Sequence, residues 1–177
     1  MSLRLASLVF VLFAAASFEA CTLGDDASTE STDAVHAAEY RSASVDEGLD
    51  RALRAAQTRG FSPEGDDIFR GFALEGSVQV DEVTLGAGSC YAVLAAGSTG
   101  VRELDLALFL ADGTEGARDA TTGRTAALLY CPVHAGTYYL TLRASAGSGL
   151  FGVRVAHGPT GLDVTAADLL PPVPSER

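Results

Sequence analysis

Between residues 68 and 156 the chain alternates apolar and polar positions in short runs that glycine and aspartate separate. A period of two predicts strands with one buried face, and turns at about 8–12-residue spacing are typical of antiparallel sandwiches and barrels. The clearest run places Leu104, Leu106 and Leu108 on one face, and Asp112-Gly113 follows as a hairpin turn. We therefore predict about eight strands in an all-β domain over residues 66–158.

The same alternation predicts which side chains fill the interior. Tyr138 and Tyr139 are neighbours in one strand, so one should lie in the core and the other on the surface. Val78 and Val80 share a face, and a kink is predicted after them at residues 81–82. The strands are expected to bury Leu104, Leu106, Leu108, Leu140, Leu142, Val153 and Val155.

A helix is predicted before the strands, over residues 45–59. Ser44 and Glu47 have the spacing of a capping box, which marks a helix start. Gly48 weakens the helix, while Gly60 and the following Pro63 end it. One face is apolar and is expected to dock on the domain: Val45, Leu49, Ala52, Leu53 and Ala56.

The N-terminus has the pattern of a secretory signal, with Arg4 before an apolar run over residues 5–16. Cys21 closes this segment and resembles the lipidated cysteine of bacterial lipoproteins, although Glu19 departs from that pattern. We predict a signal peptide over residues 1–20 and lipidation at Cys21. Cleavage after Ala16 is the alternative, and either route exports the protein.

Charge and composition describe what joins the signal to the domain. Residues 22–67 carry eleven acidic residues and four arginines, so most of the net charge of −11 lies there. Residues 21–44 contain almost no large apolar side chain, which predicts a flexible, lipid-anchored linker. Residues 159–177 are predicted to be a flexible tail. An acidic chain without a basic patch is repelled by phosphate backbones, so no nucleic acid is expected as a partner.

Three cysteines fit an exported protein. If Cys21 carries lipid, Cys90 and Cys131 remain as a pair that an oxidising compartment allows to bond. We predict this disulfide between two strands. Two buried free thiols are the alternative.

The order of several motifs resembles the bacterial pre-peptidase C-terminal domain. These motifs are Leu104-Asp105-Leu106 with Asp112-Gly113, then Gly136-Thr137-Tyr138-Tyr139, then Gly147-Ser148-Gly149-Leu150-Phe151. The resemblance covers about half of the chain and implies a jelly-roll-like antiparallel β-sandwich. It also implies a non-catalytic accessory module, since members accompany exported enzymes and some bind calcium or matrix polymers.

Candidate chemistry is sparse. Four acidic residues close in sequence could supply oxygen ligands to calcium, namely Glu103, Asp105, Asp112 and Asp119, but they match no EF-hand spacing. The alternative is that Asp105 and Asp112 serve neighbouring turns. No other cofactor is expected, because His36, His134 and His157 lack zinc-ligand spacing. Ser98 and Ser148 lie in turns without a nucleophile motif.

The sequence thus predicts an exported, lipid-anchored, non-catalytic β-sandwich with a structural or binding role in the bacterial envelope. Its expected partners are the membrane, through the N-terminal lipid, and an envelope protein or polysaccharide. The alternative is a small secreted hydrolase or ligand sensor with an unrecognised site. That reading would require a serine, a histidine and a carboxylate to converge.

Overall fold

Two antiparallel sheets and one long helix build the part of the chain that the structure, a computed structural model, describes. It describes residues 30–65, 69–119 and 121–170, with side chains from residue 43 onward. In chain order the elements are α1 (Glu30–Thr58), β1 (Ser62–Pro63), β2 (Phe69–Ala73), β3 (Val78–Leu85), β4 (Ser89–Gly97), β5 (Val101–Phe109), β6 (Glu115–Arg118), β7 (Thr125–Tyr130), β8 (Gly136–Gly147), β9 (Gly149–Pro159) and a 3₁₀ helix (Ala166–Leu169).

The strands form two sheets that face each other across one core, which confirms the predicted antiparallel sandwich. Sheet A has the order β1-β9-β4-β7, with β2 also paired to β9, and sheet B has the order β3-β8-β5-β6. The leucines and valines predicted to be buried are buried between the sheets. Tyr138 lies in this core at 6% exposure and Tyr139 lies on the outer surface, as predicted.

Sheet A is covered on both faces. Along β4, Tyr91, Val93 and Ala95 face sheet B, while Ala92 and Leu94 face a second apolar cluster. The helix α1 and the 3₁₀ helix supply the other side of that cluster. A strand that is apolar at every position needs such a cover, because both of its faces would otherwise contact water.

The predicted face of the helix is confirmed, but the predicted start is wrong. Val45, Leu49, Ala52 and Ala56 are at most 1% exposed. However, α1 begins at Glu30, so residues 30–44 are helical and do not form the flexible linker that we expected. The Glu47 side chain pairs with Arg51 one turn later, and a capping role for it is not seen. Among the described residues, no helix has the length and apolarity needed to cross a membrane.

Glycines bring α1 unusually close to sheet A. A Cβ placed on Gly48 would lie 2.8 Å from the Cβ of Ala96, and one on Gly152 would lie 2.9 Å from a methyl group of Leu49. The contact is flanked by the ion pair of Arg154 with Asp50, at 2.6 Å, and by another from β2 to the helix. The helix is therefore a fixed third layer of the domain.

Residues 160–170 also differ from the prediction of a flexible tail over residues 159–177, of which the last seven lie outside the described residues. Leu169, in the 3₁₀ helix, is fully buried against the helix side of sheet A. Asp168 accepts hydrogen bonds from the Thr165 amide and hydroxyl and pairs with Arg59 near the end of α1 at 3.3 Å. Leu162, Val164 and Leu170 also pack against this cluster, so four apolar side chains dock a segment that was predicted to be flexible.

Strand β3 carries the last correction. It runs through residues 81–82 without a kink, in continuous register with β8. Alternation then places Val83 in the core at 5% exposure and leaves Val78 and Val80 on the outer face, at 54% and 62%.

Candidate binding face

The predicted disulfide is present. Cys90 and Cys131 are bonded with their Cα atoms 4.0 Å apart. The register of β4 with β7 pairs Tyr91 with Tyr130, which puts the two cysteines opposite each other at the end of that ladder. The bond ties the edge of sheet A beneath the buried Leu169. Cys21, the predicted lipidation site, lies outside the described residues.

The four calcium candidates do not form a ligand cluster. Glu103 and Asp105 lie in β5, Asp112 lies in the hairpin turn after it, and Asp119 follows β6. Among the described residues, no three His, Cys, Asp or Glu side chains come together as metal ligands. Asp112 serves its turn, since its carboxylate accepts from the Thr114 amide at 2.9 Å, and this hydrogen bond lowers the Asp112 pKa.

Asp119 has a structural role of its own. It is 9% exposed, and its Oδ1 accepts from the Thr121 amide at 2.9 Å and the Thr121 hydroxyl at 2.7 Å. Burial raises the pKa of Asp119, and the nearby charge of Asp105 adds to this, while hydrogen bonds from Thr121 and Ala127 act in the opposite sense. Its Oδ2 is buried without a hydrogen-bond partner. The carboxylate thus holds the turn between β6 and β7.

The serines and histidines lie at opposite ends of the sandwich. Ser148 connects β8 to β9, and its hydroxyl accepts from the Glu75 amide at 2.8 Å. His134 precedes the twelve-residue β8, so roughly 40 Å of strand separates it from Ser148. His157 is near the far end of β9. Ser98 is fully buried, and its hydroxyl has no partner among the described residues.

No other described element covers the outer face of sheet B, and three rows of side chains cross it. The middle row runs from Val80 through Thr141 and Ala107 to Arg118, and its two central side chains are small. A charged row lies on one side, in which Arg143 stands between Val78 and Asp105. An aromatic row lies on the other side, in which Tyr139 stands between Glu82 and Phe109.

Because the two central side chains of the middle row are small, the face contains a shallow groove of about 260 Å³. Ala107 and Thr141 form its floor, and the Thr141 hydroxyl donates to the Ala107 carbonyl at 3.2 Å. Arg118 closes one end and is held by two hydrogen bonds to Glu115, of 3.1 and 2.5 Å, which lower the Glu115 pKa.

The lining of the groove combines apolar, donor and acceptor groups. Phe109 contributes an apolar ring, Arg143 contributes donors and Asp105 contributes acceptors. The lining residues include no serine, cysteine or histidine. A ligand with an apolar face and a polar edge fits such a surface.

Sequence reasoning did not single out Phe109, Arg118 or Arg143. A signal was present in β8, where Tyr139, Thr141 and Arg143 alternate with buried residues. The pairing of three different strands is needed before these residues form one face. Neither models of known protein families nor curated proteins give a match to this chain.

Proposed function

We propose that this chain is an exported, lipid-anchored, non-catalytic module that binds an envelope polysaccharide through the outer face of sheet B. The supporting observation is the asymmetry of the two sheets. Helix layers cover sheet A, while sheet B presents an aromatic row beside a charged row. A sugar ring has an apolar face for stacking and hydroxyls for hydrogen bonds, so it matches both rows.

The lipid anchor in this proposal is Cys21. The apolar run before it has the length of a signal, and the other two cysteines are bonded to each other. The motif order shared with the pre-peptidase C-terminal domain agrees with a non-catalytic accessory role.

Binding is tested by sedimenting the protein with purified peptidoglycan sacculi. Phe109→Ala and Arg143→Ala should each weaken co-sedimentation by about tenfold, since stacking and charged hydrogen bonds contribute about 1–3 kcal/mol each. Arg124→Ala is the matched control, because Arg124 is exposed in the loop before β7 and away from the groove. Circular dichroism should show that all three variants are folded.

Two results would contradict this assignment. Equal binding by the Arg143→Ala and Arg124→Ala variants would show that the groove does not bind the polysaccharide. Retention by solubilised envelope proteins, with no sedimentation on sacculi, would identify a protein partner and make the polysaccharide assignment wrong.

A further inference from the structure

Strand β3 is a long free edge. It pairs with β8 on one side, and no described strand pairs with its other side. It has eight residues, whereas β6 at the opposite edge of sheet B has four. The backbone amides and carbonyls along such an edge can pair with another strand.

This edge lacks several of the features that usually prevent pairing. The strand contains no proline and no basic residue, its only charged residues are Asp81 and Glu82, and its register is regular. Two valines of this strand, Val78 and Val80, are 54% and 62% exposed. An exposed, regular and apolar edge is an aggregation hazard unless a partner covers it.

We propose that a second copy of this chain covers the edge, with the two β3 strands antiparallel and Val80 on the two-fold axis. In that register Val80 meets its own copy and Val78 faces Glu82. Asp81 then faces Gln79. The four valines form one apolar strip, and no acidic residue lies directly opposite another.

The acidic residues decide between registers. Moving the axis by one residue to Asp81 lengthens the overlap but places two aspartates opposite each other, which is destabilising. Moving it to Gln79 keeps the acids apart but leaves only residues 78–80 of the two strands overlapping. Centring the axis on Val83 overlaps residues 81–85, which is equally long, but leaves Val78 and Val80 unpaired. The register centred on Val80 is therefore the longest two-fold pairing that separates the charges and also covers both exposed valines.

The layer order suits this symmetry. A two-fold axis perpendicular to the sheet continues sheet B into an eight-stranded sheet and keeps both α1 layers on the same side. Under the proposed function, both lipid anchors then lie on the side of one membrane and both grooves face away from it. The pairing itself does not depend on the anchor.

A site-specific cross-link tests the register. In full-length Cys21→Ser protein, which has neither a lipid nor that thiol, Val80→Cys places two thiols on the axis. Their Cα atoms would be about 4.5–5.5 Å apart, within the range of a disulfide. Thr84→Cys is the control on the same strand and face, where the two copies would be roughly 27 Å apart.

Mild oxidation followed by a non-reducing gel should give at least tenfold more covalent dimer for Val80→Cys than for Thr84→Cys. A mixture of Val78→Cys and Glu82→Cys proteins should also cross-link, because these positions face each other. Equal yields at Val80 and Thr84, or no dimer with either, would overturn the proposal. Because Cys21 is replaced and the cross-link is measured without any polysaccharide, neither result depends on lipidation or on polysaccharide binding.

Discussion

Gly48→Ala should destabilise this protein, although alanine is the better helix former. The new methyl group would lie 2.8 Å from the Cβ of Ala96, whereas carbon atoms normally pack at about 3.5–4.0 Å. Ala96 has no rotatable bond that could move its Cβ aside. The helix would have to move outward by about 1 Å, which loosens the buried Val45 and Leu49.

The net effect follows from two opposing terms. Replacing a helical glycine with alanine contributes about 1 kcal/mol of stability, while overpacking a close contact costs about 1–3 kcal/mol. We expect a net loss of about 1 kcal/mol, or about 4 °C in Tm for a domain of this size.

Urea unfolding of the full chain, read by circular dichroism, measures this change. Ala96→Gly removes the opposing methyl group, so Gly48→Ala should no longer destabilise the protein in that background. The double-mutant cycle should give a coupling of about 1–2 kcal/mol. A Gly48→Ala variant that is more stable than the wild type by about 1 kcal/mol would refute the close docking of α1.

Three further outcomes are expected. Reducing the Cys90–Cys131 disulfide should cost about 4 kcal/mol in urea unfolding, because the bond closes a loop with a sequence separation of 41 residues; an unchanged midpoint would count against this. Burial raises the folded-state pKa of Asp119, so its contribution to stability should grow as pH falls from neutral through that pKa towards 3.8. Asp119→Asn should remove this part of the pH dependence of Tm, and a parallel profile would contradict it. Cys21→Ser should abolish acyl labelling and release the protein from membranes, and unchanged fractionation would disprove the anchor.

Local patterns predicted the strands, the interior and the disulfide because each depends on alternation or on elimination. The buried face of α1 was predictable for the same reason. The start of α1 was not, because a lack of large apolar residues argues against a core and not against a helix. Residues 30–44 contain four alanines and two glutamates, which are good helix formers, and the helix begins well before the capping box at Ser44.

The candidate binding face depends on pairing between strands that are far apart in sequence. Thr141 pairs with Val80 on one side and with Ala107 on the other, and the separation of these residues along the chain does not predict that they are neighbours. The face on which Val78 and Val80 lie could not be predicted for the same reason. Their valine pattern is compatible with either face, and the register with β8 decides it.

The composition of the strands explains why this molecule has two unlike sides. In β4 nearly every residue is apolar and buried, so sheet A is stable only with α1 docked on it. In β8 buried and exposed positions alternate, so sheet B needs no outer layer. The helix that reaches towards the N-terminus therefore has to lie behind sheet A, because only that sheet requires a cover. The described chain begins in α1, so the tether proposed at Cys21 would lead into the helix that covers sheet A. The groove and the β3 edge belong to the sheet that is left open. Docking of α1 at Gly48 thus places the helix that is proposed to follow the tether on one side of the sandwich and the face proposed to bind on the other.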